Sequence, residues 1–173
     1  MLFSTTLASL EPAQSGWKAV IGEDWSQGRA TFGGMVAALG NEAMRRLVPA
    51  DRSLRGLDTV FIGPVAAGEV RIEAEILRVG RAVTVAYGRL SSRGVVAATT
   101  TGIYGAARES ALSLAPAVAA GVPAADGFPD REAIALGGGP TFLQHFAFRW
   151  AEGSRPFAGS NSRMAKSRSG CRG

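Results

Sequence analysis

The chain has 173 residues, of which 46% are hydrophobic and 19% charged, a composition that is typical of a folded globular protein and excludes a disordered one. Its net charge of +5 comes from the segment 155–173, which holds 5 of the 19 basic residues and no acid. Residues 1–154 therefore carry 14 bases and 14 acids and have no net charge. This neutral body argues against nucleic-acid binding, and the lack of an apolar run of about 18 residues argues against a membrane span.

The N-terminus predicts a short helix that docks on the fold and stops at Pro12. Its apolar residues have helical spacing, and no Lys or Arg precedes them, which makes the segment a poor signal peptide. Residues 17–21 then predict a first strand, and residues 25–31 a loop. The apolar residues of the docking helix are Leu2, Phe3, Leu7 and Leu10.

Residues 33–48 predict the one long helix, with Thr31 as its N-cap and Pro49 just past its end. The helix begins with Gly33 and Gly34, although each glycine costs roughly 1 kcal/mol in a helix relative to alanine. Either close packing against a sheet or close backbone approach by a ligand accounts for them, and the sequence leaves both open. The apolar residues expected to face the sheet are Met35, Val36, Leu39, Ala43 and Leu47.

Four segments with strand character follow the helix, and short links that contain glycine separate them. Such links join antiparallel neighbours, so the pattern predicts a four-strand meander. A strand, a helix and then a meander indicate an α+β fold. The predicted strands cover residues 54–65, 68–80, 81–90 and 94–105.

The C-terminal third has a different character. Residues 108–140 are rich in Ala, Pro and Gly and are interpreted as a linker. Residues 142–148 predict one more strand, and the basic segment after Pro156 predicts a disordered tail. Within that tail, the single cysteine, Cys171, excludes an internal disulfide and fits a reducing cytoplasm.

Three motifs together resemble the first half of the acyl-CoA thioesterase II family, whose members are tandem hot-dog proteins. They are the loop and helix start Gly28-Arg29 to Phe32-Gly33-Gly34, the pair Phe61 and Pro64, and Leu77-Arg78-x-Gly80-Arg81. The resemblance covers residues 1–107 and implies a hot-dog domain, one helix wrapped by a curved antiparallel sheet. Residues 142–159 resemble the first strand of a second hot-dog, which then stops, as in a truncated or frame-shifted version of a longer protein.

The resemblance implies that the helix start faces a thioester. The backbone N–H of Gly34 would hold the developing oxyanion, aided by the helix dipole, and Gly33, Phe32 and Gln27 would line the substrate site. Asp24, Ser26 and Arg29 are further candidates for the rim of that cleft. Arg78 and Arg81 flank Gly80 at a strand end, where guanidinium groups suit the phosphates of coenzyme A.

An acid or base for the reaction is harder to assign. In many single-domain hot-dog thioesterases an acidic residue lies about two turns into the helix, which here corresponds to Asn41 or Glu42. An asparagine can orient water but cannot accept a proton. A solvated helix edge explains both residues more simply than a catalytic role does. The catalytic Asp, Thr and Gln of the tandem family lie in the second hot-dog, so this chain has no matching positions for them.

Other chemistries find little support in the sequence. His145 is the single histidine and has no second His or nearby Cys, so neither a metal site nor a cofactor is expected beyond the coenzyme A of the substrate. No G-x-S-x-G motif supports a catalytic triad.

The sequence therefore favours an acyl-CoA thioesterase-like protein that cleaves an acyl-CoA to the free acid and coenzyme A. The alternatives are a catalytically silent acyl-CoA-binding or scaffold domain and, with less support, a hydratase or dehydratase on the same fold. Because a lone hot-dog leaves one sheet edge and half of its cleft open, we expect a homodimer or a higher homo-oligomer.

Overall fold

The computed structural model describes residues 1–113, 124, 139–152 and 166–171. The chain divides into two units, Met1–Glu109 and Ser110–Gly173. The first unit contains helices α1 (Phe3–Ala8) and α2 (Gly33–Arg45), one turn of 3-10 helix (Glu23–Trp25), and strands β1 (Glu11–Pro12), β2 (Trp17–Ile21), β3 (Ser26–Gln27), β4 (Ala30–Thr31), β5 (Arg52–Phe61), β6 (Gly68–Val79), β7 (Val83–Ser92) and β8 (Val95–Ala106).

Six of these strands form one antiparallel sheet in the order β1-β2-β6-β7-β8-β5, and β3 and β4 form a separate hairpin. A mixed α+β fold with an antiparallel sheet and a helix packed on it confirms the predicted fold class. The predicted four-strand meander is only partly right. Strands β6, β7 and β8 are consecutive neighbours, but β5 pairs with β8 at the far edge of the sheet rather than with β6.

The link after β5 explains this difference. It has six residues between Phe61 and Gly68, which is too long for a tight hairpin, and it contains Pro64. The N–H groups of Ile62 and Gly63 both donate to the carbonyl of Ala97, at 2.9 and 3.0 Å. The carbonyl of Val65 then accepts from Thr31, so the link closes the end of the fold at which α2 begins.

Helix α2 packs along β6, β7 and β8. A Cβ atom at Gly40 would lie 2.8 Å from Thr100 Oγ1, so this glycine lets the helix approach the sheet closely. The helix ends at Arg45 rather than at residue 48, and Leu47 is 39% exposed instead of facing the sheet. Its buried residues are Met35, Val36, Leu39, Gly40, Ala43 and Met44.

The end of α2 closes on a dense apolar cluster formed by Met44, Val48, Ala86 and Tyr104, all at most 7% exposed. Burying a side chain of this size contributes roughly 1.5–3 kcal/mol. Helix α1 covers the opposite part of the core, as predicted, and the ring of its Phe3 lies 6.1 Å from the ring of Trp25.

In the second unit, a 3-10 helix (Thr141–His145) precedes strand β9 (Phe146–Glu152), which pairs antiparallel with β10 (Lys166–Cys171). The predicted strand over 142–148 is therefore helical in its first half. The expectation of a disordered tail does not hold for residues 166–171, which form β10. Most of the predicted linker 108–140 lies outside the described residues.

Candidate functional site

A pocket of about 320 Å³ opens at the start of helix α2. It is enclosed by the β3–β4 hairpin on one side, by the link after β5 on another, and by the first turn of the helix. Most of its lining is apolar, which suits an acyl chain or another apolar group. The lining residues are Gln27, Ala30, Thr31, Gly33, Val36, Phe61, Gly63, Pro64 and Val65.

The hairpin and the link hold the helix start in place through backbone hydrogen bonds. The N–H of Thr31 donates to the Val65 carbonyl at 2.7 Å, and the N–H of Phe32 donates to the Trp25 carbonyl at 2.8 Å. Gly28, at φ 66°, makes the left-handed turn that joins β3 to β4 and places Gln27 on the pocket wall. The first turn of α2 is thus fixed from both sides.

The first turn of α2 presents free backbone donors. Phe32 is the N-cap and gives no side-chain cap, and its carbonyl accepts from Met35 and Val36. In the described part of the chain, the N–H groups of Gly33 and Gly34 have no acceptor. The prediction that Thr31 caps the helix is wrong, because Thr31 belongs to β4 and its hydroxyl is buried without a hydrogen-bond partner among the described residues.

The structure also shows why the first two helical residues are glycines. A Cβ at Gly33 would lie 2.9 Å from the Phe61 ring, and a Cβ at Gly34 would lie 2.4 Å from the ring of Phe32. Two phenyl rings therefore occupy the space that side chains would take beside the free N–H groups. Both rings can move, since Phe61 is 56% exposed and Phe32 is half-buried. The helix start thus combines free donors with an apolar cover.

Asn41 and Glu42 lie further along the same helix. They are seven and eight residues beyond Gly34, which corresponds to about 10–12 Å along the axis. The hydroxyl of Tyr104 donates to Asn41 Oδ1 at 2.9 Å, and Glu42 pairs with Arg46 at 3.5 Å. Neither side chain lines the pocket at the helix start of its own chain.

The Tyr104 hydroxyl is held as a donor. Burial raises the pKa of Tyr104 to about 12, with the nearby Glu42 carboxylate raising it and Arg45 lowering it. The phenol therefore stays protonated across the physiological range and keeps the Asn41 amide oriented. This pair could not be predicted from the sequence, because Tyr104 is 63 residues away from Asn41 along the chain.

Arg78 and Arg81 lie at the opposite end of the sheet from the pocket. They belong to the β6–β7 hairpin, beside the end of α2, where the Arg81 carbonyl accepts from the side chain of Arg52 at 3.3 Å. Arg45, in the last turn of α2, donates to the Arg52 carbonyl at 3.0 Å. Within one chain, the structure brings Gln27 and Gly33 together at the pocket. Phe32 and Gly34 flank Gly33 in the chain but do not line the pocket, and Arg78 and Arg81 lie about a helix length away.

The remaining predicted candidates lie elsewhere. The loop residues Asp24, Ser26 and Arg29 do not line the pocket, and His145 belongs to the second unit. Among the described residues, no group of three or more His, Cys, Asp or Glu side chains could hold a metal ion. No helix in the described part of the chain is long and apolar enough to cross a membrane.

A single helix on a six-stranded antiparallel sheet, with a pocket at the helix start, places the first unit in the hot-dog class. Residues 21–105 match the acyl-CoA thioesterase N-terminal domain family. The predicted resemblance to the thioesterase II type is thereby confirmed for the N-terminal part. No curated protein sequence matches the chain.

Solved structures agree with this assignment. A hot-dog protein from Alicyclobacillus acidocaldarius has a TM-score of 0.74 and 23% identity, covering 88% of this chain and 56% of its own. A candidate thioesterase II from Thermobifida fusca YX has a TM-score of 0.72 and 16% identity over 86% and 54%. The acyl-CoA thioesterase II of Mycobacterium marinum has a TM-score of 0.65 and 18% identity, covering 91% of this chain and 56% of its own. At these identities the likeness shows the fold, and the chain spans little more than half the length of each relative.

Proposed function

We propose that the protein hydrolyses an acyl-CoA thioester to the free acid and coenzyme A. The observation that carries this proposal is the free N–H of Gly33 at the wall of an apolar pocket, with the free N–H of Gly34 next to it in the first turn of the helix. An acyl chain fits the apolar lining, and the carbonyl oxygen of a thioester can accept hydrogen bonds from such donors. No cofactor is needed beyond the coenzyme A of the substrate.

The chemistry requires charge stabilisation at the carbonyl oxygen. Water adds to the thioester carbon, the oxygen becomes an oxyanion, and the C–S bond then breaks to release coenzyme A as its thiol. The N–H of Gly34, with Gly33 beside it, donates to the oxyanion, and the positive end of the α2 dipole adds to this stabilisation. Losing one such donor typically costs about 100- to 1000-fold in turnover.

The attacking water needs a base, and Glu42 is the candidate with the required chemistry. Asn41 cannot accept a proton, but its amide, fixed by Tyr104, can orient the water. Because Glu42 lies about 12 Å along the helix from Gly34, it cannot serve the pocket of its own chain. A second copy has to bring its Glu42 to that pocket.

We therefore propose a homodimer joined through β5. This strand is the edge of the six-stranded sheet, and the residues at its end are exposed and apolar: Val60 is 54% and Phe61 56% exposed, and Ile62, directly after the strand, is 59% exposed. Unpaired edges of this kind favour strand addition, and antiparallel pairing of two β5 strands satisfies a two-fold axis. The helix start of one copy would then lie toward the helix end of the other.

The second candidate is a catalytically silent acyl-CoA-binding domain. Two contacts favour it, since the Asn41 oxygen is engaged by Tyr104 and the Glu42 carboxylate is paired with Arg46. In this case the pocket would bind the thioester but no base would activate water. We propose a cytoplasmic location for either function.

Thiol release from a panel of acyl-CoA substrates separates the two candidates. The thioesterase proposal predicts saturable release that Glu42→Gln lowers at least about 100-fold in turnover, with His145→Gln as the matched control that leaves it unchanged. Saturable binding of acyl-CoA without release would establish the silent domain. If the wild-type chain neither binds nor cleaves any acyl-CoA, both candidates are wrong.

A further inference from the structure

A second cavity, of about 390 Å³, lies at the end of the sheet opposite the pocket. Two arginine side chains, Arg55 from β5 and Arg108 just after β8, lie on its walls. Its remaining lining comes from the ends of the β6–β7 hairpin and of β8, including Ala82 and Gly105. We call this cavity the arginine groove.

The arginines of this groove lack the carboxylate partners that some other arginines of the unit have. Arg46 pairs with Glu42 at 3.5 Å, Arg71 pairs with Glu69 at 3.5 Å, and Arg89 pairs with Glu73. Among the described residues, no carboxylate lies within ion-pair distance of Arg55 or Arg108. The same holds for Arg81, which directly precedes Ala82 at the rim. Two positively charged side chains therefore line one cavity, and no carboxylate of the described residues pairs with either of them.

The side chain of Arg55 lies against the sheet beside a glycine of β8. A Cβ at Gly105 would lie 3.1 Å from both Cγ and Nε of Arg55, so the side chain of Arg55 lies across β8 at the point where β8 has no side chain of its own. A β-bulge between Leu54 and Gly56 accompanies this arrangement. The side chain of Arg55 therefore lies beside Gly105 on the wall of the groove.

We propose that the arginine groove binds the phosphate groups of a small molecule. The planar guanidinium presents paired N–H donors that match phosphate oxygens, and unpaired arginines facing one cavity suit a ligand with two or more phosphates. The groove is a bounded cavity rather than a stripe, and residues 1–154 carry no net charge, so a nucleotide-sized ligand fits better than a nucleic acid.

Two sources could supply these phosphates. One is a free nucleotide. The other is the nucleotide end of a coenzyme A whose thioester lies in the pocket of the partner copy, a source that rests on the proposed function. Strand β5 runs from Arg52 at the groove end to Phe61 at the pocket end, so antiparallel pairing of two β5 strands would place the groove of one copy at the same end as the pocket of the other.

Titration calorimetry with adenosine 3′,5′-bisphosphate tests the groove directly. The groove variant is Arg55→Gln with Arg108→Gln. The matched control, Arg71→Gln with Arg93→Asn, also removes two positive charges, but at the opposite end of the sheet and outside both cavities. Asn suits position 93 because its φ is 53°. We expect the groove variant to lose at least about tenfold in affinity and the control less than twofold.

The proposal is overturned if the wild type does not bind the bisphosphate, or if the groove variant and the control lose affinity equally. Which molecule supplies the phosphates is decided by the KM values of the wild type and the groove variant for an acyl-CoA and for the matching acyl-pantetheine. A rise confined to the acyl-CoA in the groove variant supports coenzyme A as the source, and unchanged KM values with lost bisphosphate binding support a free nucleotide. Bisphosphate binding at the groove without thioester cleavage would sink the proposed hydrolysis alone.

Discussion

The two ends of helix α2 differ in almost every physical respect. At its start, two glycines leave backbone donors free beside an apolar pocket, and no side chain caps the helix. At its end, Met44 and Tyr104 are fully buried, and Arg45 donates to the Arg52 carbonyl. The end secures the helix on the sheet, and this stability allows the start to keep unsatisfied N–H groups that a ligand can use.

The largest effect on stability is expected at the C-terminal end of α2, which we call the closed end; its N-terminal start is the open end. Met44→Ala removes a fully buried side chain from the cluster with Val48, Ala86 and Tyr104 and leaves a cavity. The free energy of unfolding should fall by about 2–5 kcal/mol in a denaturant titration. A loss below about 1 kcal/mol would show that this end does not secure the helix.

The open end should show the opposite response. In Gly34→Ala the new methyl group has to displace the Phe32 ring, which can rotate, while alanine improves helix propensity by about 1 kcal/mol. Stability should therefore change by less than about 1 kcal/mol, whereas acyl-CoA cleavage or binding should weaken at least about tenfold, because the ring and the methyl group crowd the free N–H. Unchanged kinetics would argue that the helix start is not the site.

A pH titration sharpens the comparison further. Because the pKa of Tyr104 is raised from 10.0 to about 12 in the folded protein, the native state holds a proton that the unfolded chain loses first. The contribution of this retained proton to the free energy of unfolding is complete below about pH 10 and is lost as the pH rises toward about 12. Urea titrations at pH 9 and pH 11.5 should show a smaller fall in stability for Tyr104→Phe than for the wild type. Equal falls in the two proteins would contradict the buried phenol.

The smallest effect is expected at Arg52, which lies under the closed end. Its side chain is 9% exposed, and its Nε lies 3.9 Å from the exposed carboxylate of Asp51. Among the described residues, its Nε and Nη1 atoms have no hydrogen-bond partner. Since a buried charge with few partners contributes little, Arg52→Met should leave the unfolding free energy within about 1 kcal/mol of the wild type or raise it. A loss of about 3 kcal/mol or more, measured in the same denaturant titration, would mean that Arg52 is a required ion-pair partner.

The sequence allowed the elements to be predicted well because their signals are local. Strand β2 was predicted with its observed bounds, and β6 to within one residue, because alternation and flanking glycines mark such segments. The position of β5 beside β8 could not be predicted, since it depends on the path of the link after Phe61. Thr31 was assigned as a cap because its residue type suits one, but the hairpin places it in β4 instead.

The parts of the candidate site that depend on local sequence could also be predicted, whereas contacts between distant residues could not. Gly33 and Gly34 stood out because they contradict local helix propensity, and the structure places Gly33 on the wall of a pocket with Gly34 next to it in the helix. The contact between Asn41 and Tyr104, and the convergence of Arg55 and Arg108, depend on strand pairing across distant parts of the chain. Charge and periodicity along the sequence carry no information on such pairs.

The central claim is that the N–H groups of Gly33 and Gly34 receive a thioester carbonyl. The most direct measurement is the amide NMR spectrum of the protein during titration with an acyl-CoA analogue in which a methylene group replaces the sulfur and the carbonyl is retained. The account predicts saturable downfield shifts of the Gly33 and Gly34 amide protons, with those of Arg45 and Arg46 unchanged. Saturation that leaves both glycine amides unmoved would contradict it.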